Sequence, residues 1–149
     1  MSRASNTFET EFLKLMFQNV GITGIGDATG LRGSASAGNF YLRLCKSTPA
    51  PTDANLGTEC DYAGYTRVTV GRTISDWDVT NNVASNLNLL SFGECTSGSN
   101  TVRYVELWRD NVSTNESERI AWAMTSAQVS VAAGVSPVFQ PGDITFTFD

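Results

Sequence analysis

Histidine is missing from this chain altogether. Ser-His-Asp and Cys-His nucleophile systems and histidine-bearing metal sites are excluded with it, and most hydrolase mechanisms follow. Charge is scarce too: 17% of residues are charged, against roughly 25% in ordinary globular domains. Ser, Thr, Asn and Gly fill the difference and make a neutral surface rich in hydroxyls and amides. A net charge of -5, with no cluster of Lys and Arg, leaves no basic field for phosphates, so no direct nucleic-acid partner is expected. The longest mainly apolar run, around Phe12 to Phe17, is interrupted by Lys14 and falls far short of the ~20 residues that span a bilayer. No membrane partner is expected either.

The N-terminus has no apolar stretch followed by a small-residue cleavage site, so no secretory signal is read and folding in a cytoplasm is expected. Cys45, Cys60 and Cys95 are odd in number and lack C-x-x-C spacing, which argues for reduced, structural thiols rather than disulfides or zinc. The segment Asp76-Trp77-Asp78-Val79-Thr80-Asn81-Asn82 begins like a calcium loop, but Asn81 stands where glycine is needed and Leu87 where glutamate is needed. The glycine cluster from Gly21 to Gly30 lacks the order and the Lys-Ser/Thr of a phosphate-binding loop and reads as an ordinary loop. Glu59, Glu94 and Glu106 have no local spacing that pairs carboxyls for glycoside hydrolysis. No catalytic residue, cofactor site or metal site is expected.

What is present is strand after strand. The longest clean signal, Tyr62 to Arg72, alternates β-branched and larger polar residues, placing Thr66, Val68 and Val70 inward and Arg67 and Thr69 outward. Phe40 to Lys46 alternates similarly. Val79-Thr80 and Val83-Ala84 flank Asn81-Asn82 as a two-residue type I′ hairpin. The apolar phase shifts at Leu90, suggesting a bulge or burial on both faces. Thr101 to Arg109 carries large residues on both sides and suits a central strand, Arg119 to Thr125 sets Ile120, Trp122 and Met124 opposite two alanines, and Ile144, Phe146 and Phe148 alternate near the end. Roughly eight short strands at even spacing indicate an all-β sandwich or barrel.

Ahead of them one helix is expected, capped by Asn6 or Thr7 with Glu9 completing a capping box. Phe8, Phe12, Leu15 and Met16 share one face and are the candidate subunit-interface residues; Glu9, Glu11, Lys14 and Gln18 form the wet side. Packing of this helix on its own domain is the alternative. Trp77, Trp108 and Trp122 either stack on sugar rings, if an exposed row of them lies beside Asn and Asp, or are buried in the core or an interface.

The order of phrases resembles a family of small structural proteins of tailed bacteriophages, often labelled tail fibre proteins, whose relatives include capsid decoration or cement proteins. The phrases are Ser5 to Thr10 before the helix, Ile25 to Ser34, Phe40-Tyr41-Leu42, Tyr62 to Val68, Trp77-Asp78-Val79, Ser85-Asn86, Leu90-Ser91-Phe92 and Gly134 to Phe146, which together cover nearly the whole chain. The resemblance implies a mainly β, antiparallel, jelly-roll-like sandwich in one domain, 1–149, with the N-terminal helix and loop 1–37 as an arm or cap. It also implies a place on the virion, self-association as a homotrimer and no catalytic motif. The expected function is a capsid decoration or cement protein that binds the major capsid protein on the outer surface of the head and stabilises the shell. The alternative is a tail fibre or tail-tip protein that binds a host-surface glycan.

Overall fold

The computed structural model describes residues 4–26 and 28–148. Met1 to Arg3, Asp27 and Asp149, which the reading above touches at the N-terminus and in the Ile25 to Ser34 phrase, lie outside them. The protein is mainly β, with one α-helix and antiparallel sheets. Helix α1 spans Asn6–Gln18. The strands are β1 (Asn39–Lys46), β2 (Val68–Gly71), β3 (Trp77–Thr80), β4 (Val83–Asn86), β5 (Leu90–Ser91), β6 (Ser99–Trp108), β7 (Arg119–Ala132), β8 (Val138–Phe139) and β9 (Thr145–Thr147). They form a four-stranded sheet in the order β2-β1-β6-β7, a three-stranded sheet β3-β4-β9 and a small β5-β8 pair, a division compatible with a jelly roll.

A single core lies between the two larger sheets. Leu42 and Leu44 of β1 pair across to Leu107 and Val105 of β6 and face Trp77, Ala84 and Phe146 from the other sheet in one cluster. Phe17 of the helix stands edge-on to both Phe40 and Trp77, with ring centroids 5.4 and 4.8 Å away. Full burial of such side chains contributes about 1.5 to 3 kcal/mol each. β6 is flanked by β1 and β7, so its large residues on both faces have neighbours to pack against. This is the central strand its sequence implies.

Helix α1 starts one residue earlier than its capping box suggests. Ser5, in an extended conformation, is the cap, and its hydroxyl accepts from the Phe8 amide. The buried face runs through Glu9, Leu13 and Phe17, spaced by four, while Phe8, Phe12, Leu15 and Met16 are half-buried. Glu9 therefore belongs to the packed side, not the wet one. Asn19 ends the helix in the left-handed region at φ 58, and its amide group clasps Ser34 through both backbone groups. The C-terminal carbonyls of Leu15 and Met16 accept from Arg72, which also donates to Ala37; the cation suits the negative end of the helix dipole.

The stretch from Tyr62 to Arg72 is only partly strand. Gly64 takes φ +96 and the Tyr65 amide donates back to the Tyr62 carbonyl, a turn that sends both tyrosines inward. Tyr62 donates its hydroxyl to the Gly93 carbonyl, and the Tyr65 hydroxyl accepts from the Leu44 amide. Beyond the turn, Val70 is buried as expected, but Thr66 is exposed. Arg67, expected to face solvent, has its side chain 6% exposed. The β3-β4 connection is the expected two-residue turn, with Thr80 opposite Val83. Only Asn81 takes positive φ there, whereas type I′ needs it at both positions. The phase shift at Leu90 marks a loop: β4 ends at Asn86, Leu87 and Leu89 are exposed, and Leu90 and Phe92 are buried.

Candidate functional site

Two features stand outside the apolar core. The first is an ionic cluster on the far face of the four-stranded sheet. Arg43 of β1 and Glu106 of β6 are directly opposite in register, so their side chains meet. The Glu106 carboxylate is fully engaged: one oxygen accepts from Gly57 and Arg119, the other from Trp108 and Arg43. Trp108 lies between two guanidinium groups, 4.6 Å from Arg43 and 5.0 Å from Arg67, a cation-π arrangement strengthened by desolvation. Arg67 grips Glu59 with both ends of its guanidinium at 2.9 and 2.8 Å, the bidentate geometry that makes such pairs strong.

The same arginines hold down two loops. Arg43 donates to the Gly57 carbonyl, Arg119 to the carbonyls of Thr52, Asp53 and Asn55, and Arg67 to those of Asp110 and Ser113. Residues 47–60 thus form a strap over the sheet face. Among the described residues, Arg43 Nε is the one buried side-chain polar atom lacking a hydrogen-bond partner. The thiols are structural: Cys45, Cys60 and Cys95 are free and buried. Burial pushes Cys45 well above the ordinary thiol range and Cys60 up to about 12.

The second feature is an open groove. β7 bonds to β6 on one side only, and β9 to β4 on one side only. The free edges of the two sheets approach each other near Ile120 and Thr147, with helix α1 alongside. Between them lies an apolar hollow of about 270 Å³ lined by Phe12, Met16, Ile120, Phe146 and Phe148 among others. Next to it is a shallower depression of about 410 Å³ bordered by Asp53, Glu116, Arg119 and Trp122; Ile120, Ala121, Thr147 and Phe148 line both. Phe12 stacks on Phe148 at 5.0 Å, and Phe8 leans on Phe12 at 6.4 Å.

The pairing of β7 explains the groove. Ala121 and Ala123 sit opposite Leu107 and Val105 and so take the core side, where the small Ala121 borders the hollow. Trp122 and Met124 point the other way and are 37% and 59% exposed. From Ile120 to Gly142 the chain carries no charged residue. β7 is interrupted after Met124: Tyr104 pairs with Met124 but Val102 with Val129, so Thr125–Gln128 bulge opposite Arg103. The Thr125 hydroxyl fixes the bulge through the Arg103 and Ala127 carbonyls.

Of the four helix residues singled out as an interface, Phe12 and Met16 line the hollow, Phe8 extends it through Phe12, and Leu15 does not line it. The row of tryptophans does not form. Trp77 and Trp108 are wholly buried, and Trp122 alone is exposed, edge-on to Tyr104 at 6.2 Å. Sequence reasoning missed the ionic cluster, although charged residues inside apolar strands, Arg43 and Glu106, were its visible sign. Among the described residues no group of three or more His, Cys, Asp or Glu is placed to hold a metal ion, and no helix is long and apolar enough to cross a membrane.

The features of this chain are thus a braced sheet, a strapped face and an exposed apolar edge. No curated protein matches the chain. Residues 3–147 match the family described as podophage GP4 fiber I protein gp80, and with nearly its whole length matched the chain belongs to that family of phage structural proteins.

Proposed function

We propose that the protein is a non-catalytic subunit of a fibre on the phage virion and acts by binding neighbouring virion proteins. The observation that carries this is the exposed edge of β7, free of charge beyond Arg119, beside an apolar hollow. Exposed apolar surface of this kind is a mark of protein association. The fibre name of the family supports a fibre in preference to the capsid surface. A cement protein on the major capsid protein would play the same structural role elsewhere on the particle. Self-association into a homotrimer belongs to the proposal, and light scattering of the purified chain tests it by mass. The location is tested by immunogold labelling of intact particles: label confined to the fibres is expected, and label spread over the head would return the protein to capsid decoration.

Glycan binding is the second reading, and Trp122 is the observation that favours it. An aromatic face beside the carboxylates of Asp53 and Glu116 suits a sugar ring. A single exposed tryptophan offers one stacking platform, so glycan-array signals that disappear in Trp122→Ala would be needed to sustain it.

A further inference from the structure

We propose that the groove beside the free edges of β7 and β9 receives an extended segment of another virion protein, added as a strand along residues 121–124. The donor segment carries one bulky apolar side chain flanked by Lys or Arg. This deepens the assembly role proposed above by giving the chemistry of the partner.

Three observations converge on it. The first is the edge. β7 offers unpaired backbone groups on the side away from β6, and an added strand satisfies such groups through main-chain hydrogen bonds. Natural edges are usually blunted by charge or proline. Beyond Arg119 this edge has neither, and Arg119 is turned under the strap with its side chain 5% exposed. The register shift at Ile120 and the bulge at Thr125–Gln128 bound the regular edge to residues 121–124, so the site accepts about four residues, roughly 13 Å of strand.

The second is the hollow. An added strand alternates its side chains between faces, as β7 does. Those on the side of Ala121 and Ala123 would enter the space between Phe12, Met16, Ile120 and Phe148. At about 270 Å³ it has room for a single large apolar side chain, which gives the site an anchor.

The third is charge. The rim carries Asp53 and Glu116, both exposed. The one lining cation, Arg119, is held by Glu106 and three carbonyls and reaches Glu116 only at 3.8 Å, so Asp53 has no cation among the lining residues and Glu116 has a long contact to one. A basic donor complements this rim. A second copy of β7 does not: from Ile120 to Gly142 it carries no cation to meet that rim.

The test uses the full chain and the synthetic peptide acetyl-Lys-Thr-Lys-Phe-Lys-Thr-Lys-amide, with a counterpart in which Glu replaces every Lys. Calorimetry is expected to show saturable binding of the basic peptide, at least ten-fold tighter than the acidic one, with hydrogen-exchange protection gained at residues 121–124. Asp53→Lys with Glu116→Lys, both on the surface, is expected to reverse the preference. The proposal is overturned if neither peptide binds, if binding ignores charge, or if protection appears elsewhere. It is equally overturned if the chain dimerises through this edge, or if a glycan occupies the site and loses binding in Trp122→Ala. Each of these results removes the strand site alone, because immunogold location on the fibre is measured separately.

Discussion

Arg43 and Glu106 form an ion pair of 2.7 Å with their side chains only 3% and 0% exposed. Such a pair is poor evidence of net stabilisation, because desolvating two charges offsets most of their attraction. Its effect appears when one partner is removed. Glu106→Ala leaves Arg43 with one carboxylate contact, to Glu59 at 3.6 Å, and Arg119 with one, to Glu116 at 3.8 Å, and frees the Trp108 and Gly57 donors. Urea unfolding should show a loss of about 3 to 5 kcal/mol, and proteolysis within residues 47–60 should accelerate. An unchanged midpoint would mean that the loops hold without the cluster.

Arg72 ties the end of α1 to the sheet through the Leu15, Met16 and Ala37 carbonyls. Arg72→Ala removes three bonds to a charged donor, and a loss of about 2 to 4 kcal/mol is expected. Hydrogen exchange should locate it, with amides of α1 losing protection ahead of those in β6. Uniform loss in both elements would contradict a local role.

Gly64 is held at φ +96, and a Cβ there would collide with the Glu94 carbonyl oxygen. Gly64→Ala should destabilise by more than about 1 kcal/mol, whereas Gly142→Ala, where nothing lies within 4 Å, isolates the strain of positive φ alone. Comparing the two by thermal unfolding separates crowding from conformation.

Alkaline pH should weaken the fold before it affects exposed groups. Burial raises Cys60 from 9.0 to about 12 and Tyr62 from 10.0 to about 12, and it raises Cys45 and Tyr65 as well. The unfolded chain therefore gives up these protons first. Stability from these groups is complete below about pH 9 and falls as pH climbs toward 12. Urea midpoints measured across that range should decline, and Cys60→Ser should flatten part of the slope. A midpoint that stays level to pH 11 would sink the assignment.

Trp122→Ala and Met124→Ala should change stability by no more than about 0.5 kcal/mol, as expected for surface positions, while impairing incorporation into particles. Incorporation is read by quantitative gel densitometry of purified virions. Large destabilisation would show that these side chains belong to the fold rather than to a contact.

The β architecture was legible because alternation is a local property. β6 could be read as central from its large residues on both faces, and Phe40, Leu42 and Leu44 as core from their period of two. What escaped depended on distant pairings. Arg67 looks solvent-facing in its own strand, but Glu59 and the 110–113 loop close over it. Tyr62 and Tyr65 seem to extend a strand, yet Gly64 turns the chain so that both rings enter the core. Ile120, Trp122 and Met124 share one face by alternation, yet a register shift at Ile120 leaves that residue against the core while the pairing of Ala121 and Ala123 with β6 turns Trp122 and Met124 outward. For the helix, half-buried Phe12 and Met16 were found by periodicity, but the face through Glu9 was hidden by its charge.

Between Thr52 and Gly57 the arginines grip the strap through its peptide carbonyls, at Thr52, Asp53, Asn55 and Gly57, and the Glu59 carboxylate is the side-chain hold beyond them. Every amino acid supplies a carbonyl. Substitutions at Thr52, Asp53 and Asn55 can therefore alter the chemistry displayed beside the β7 groove while the arginines keep the segment closed. A phage that must accommodate a changing neighbour has here a place where surface identity can drift without a penalty in folding.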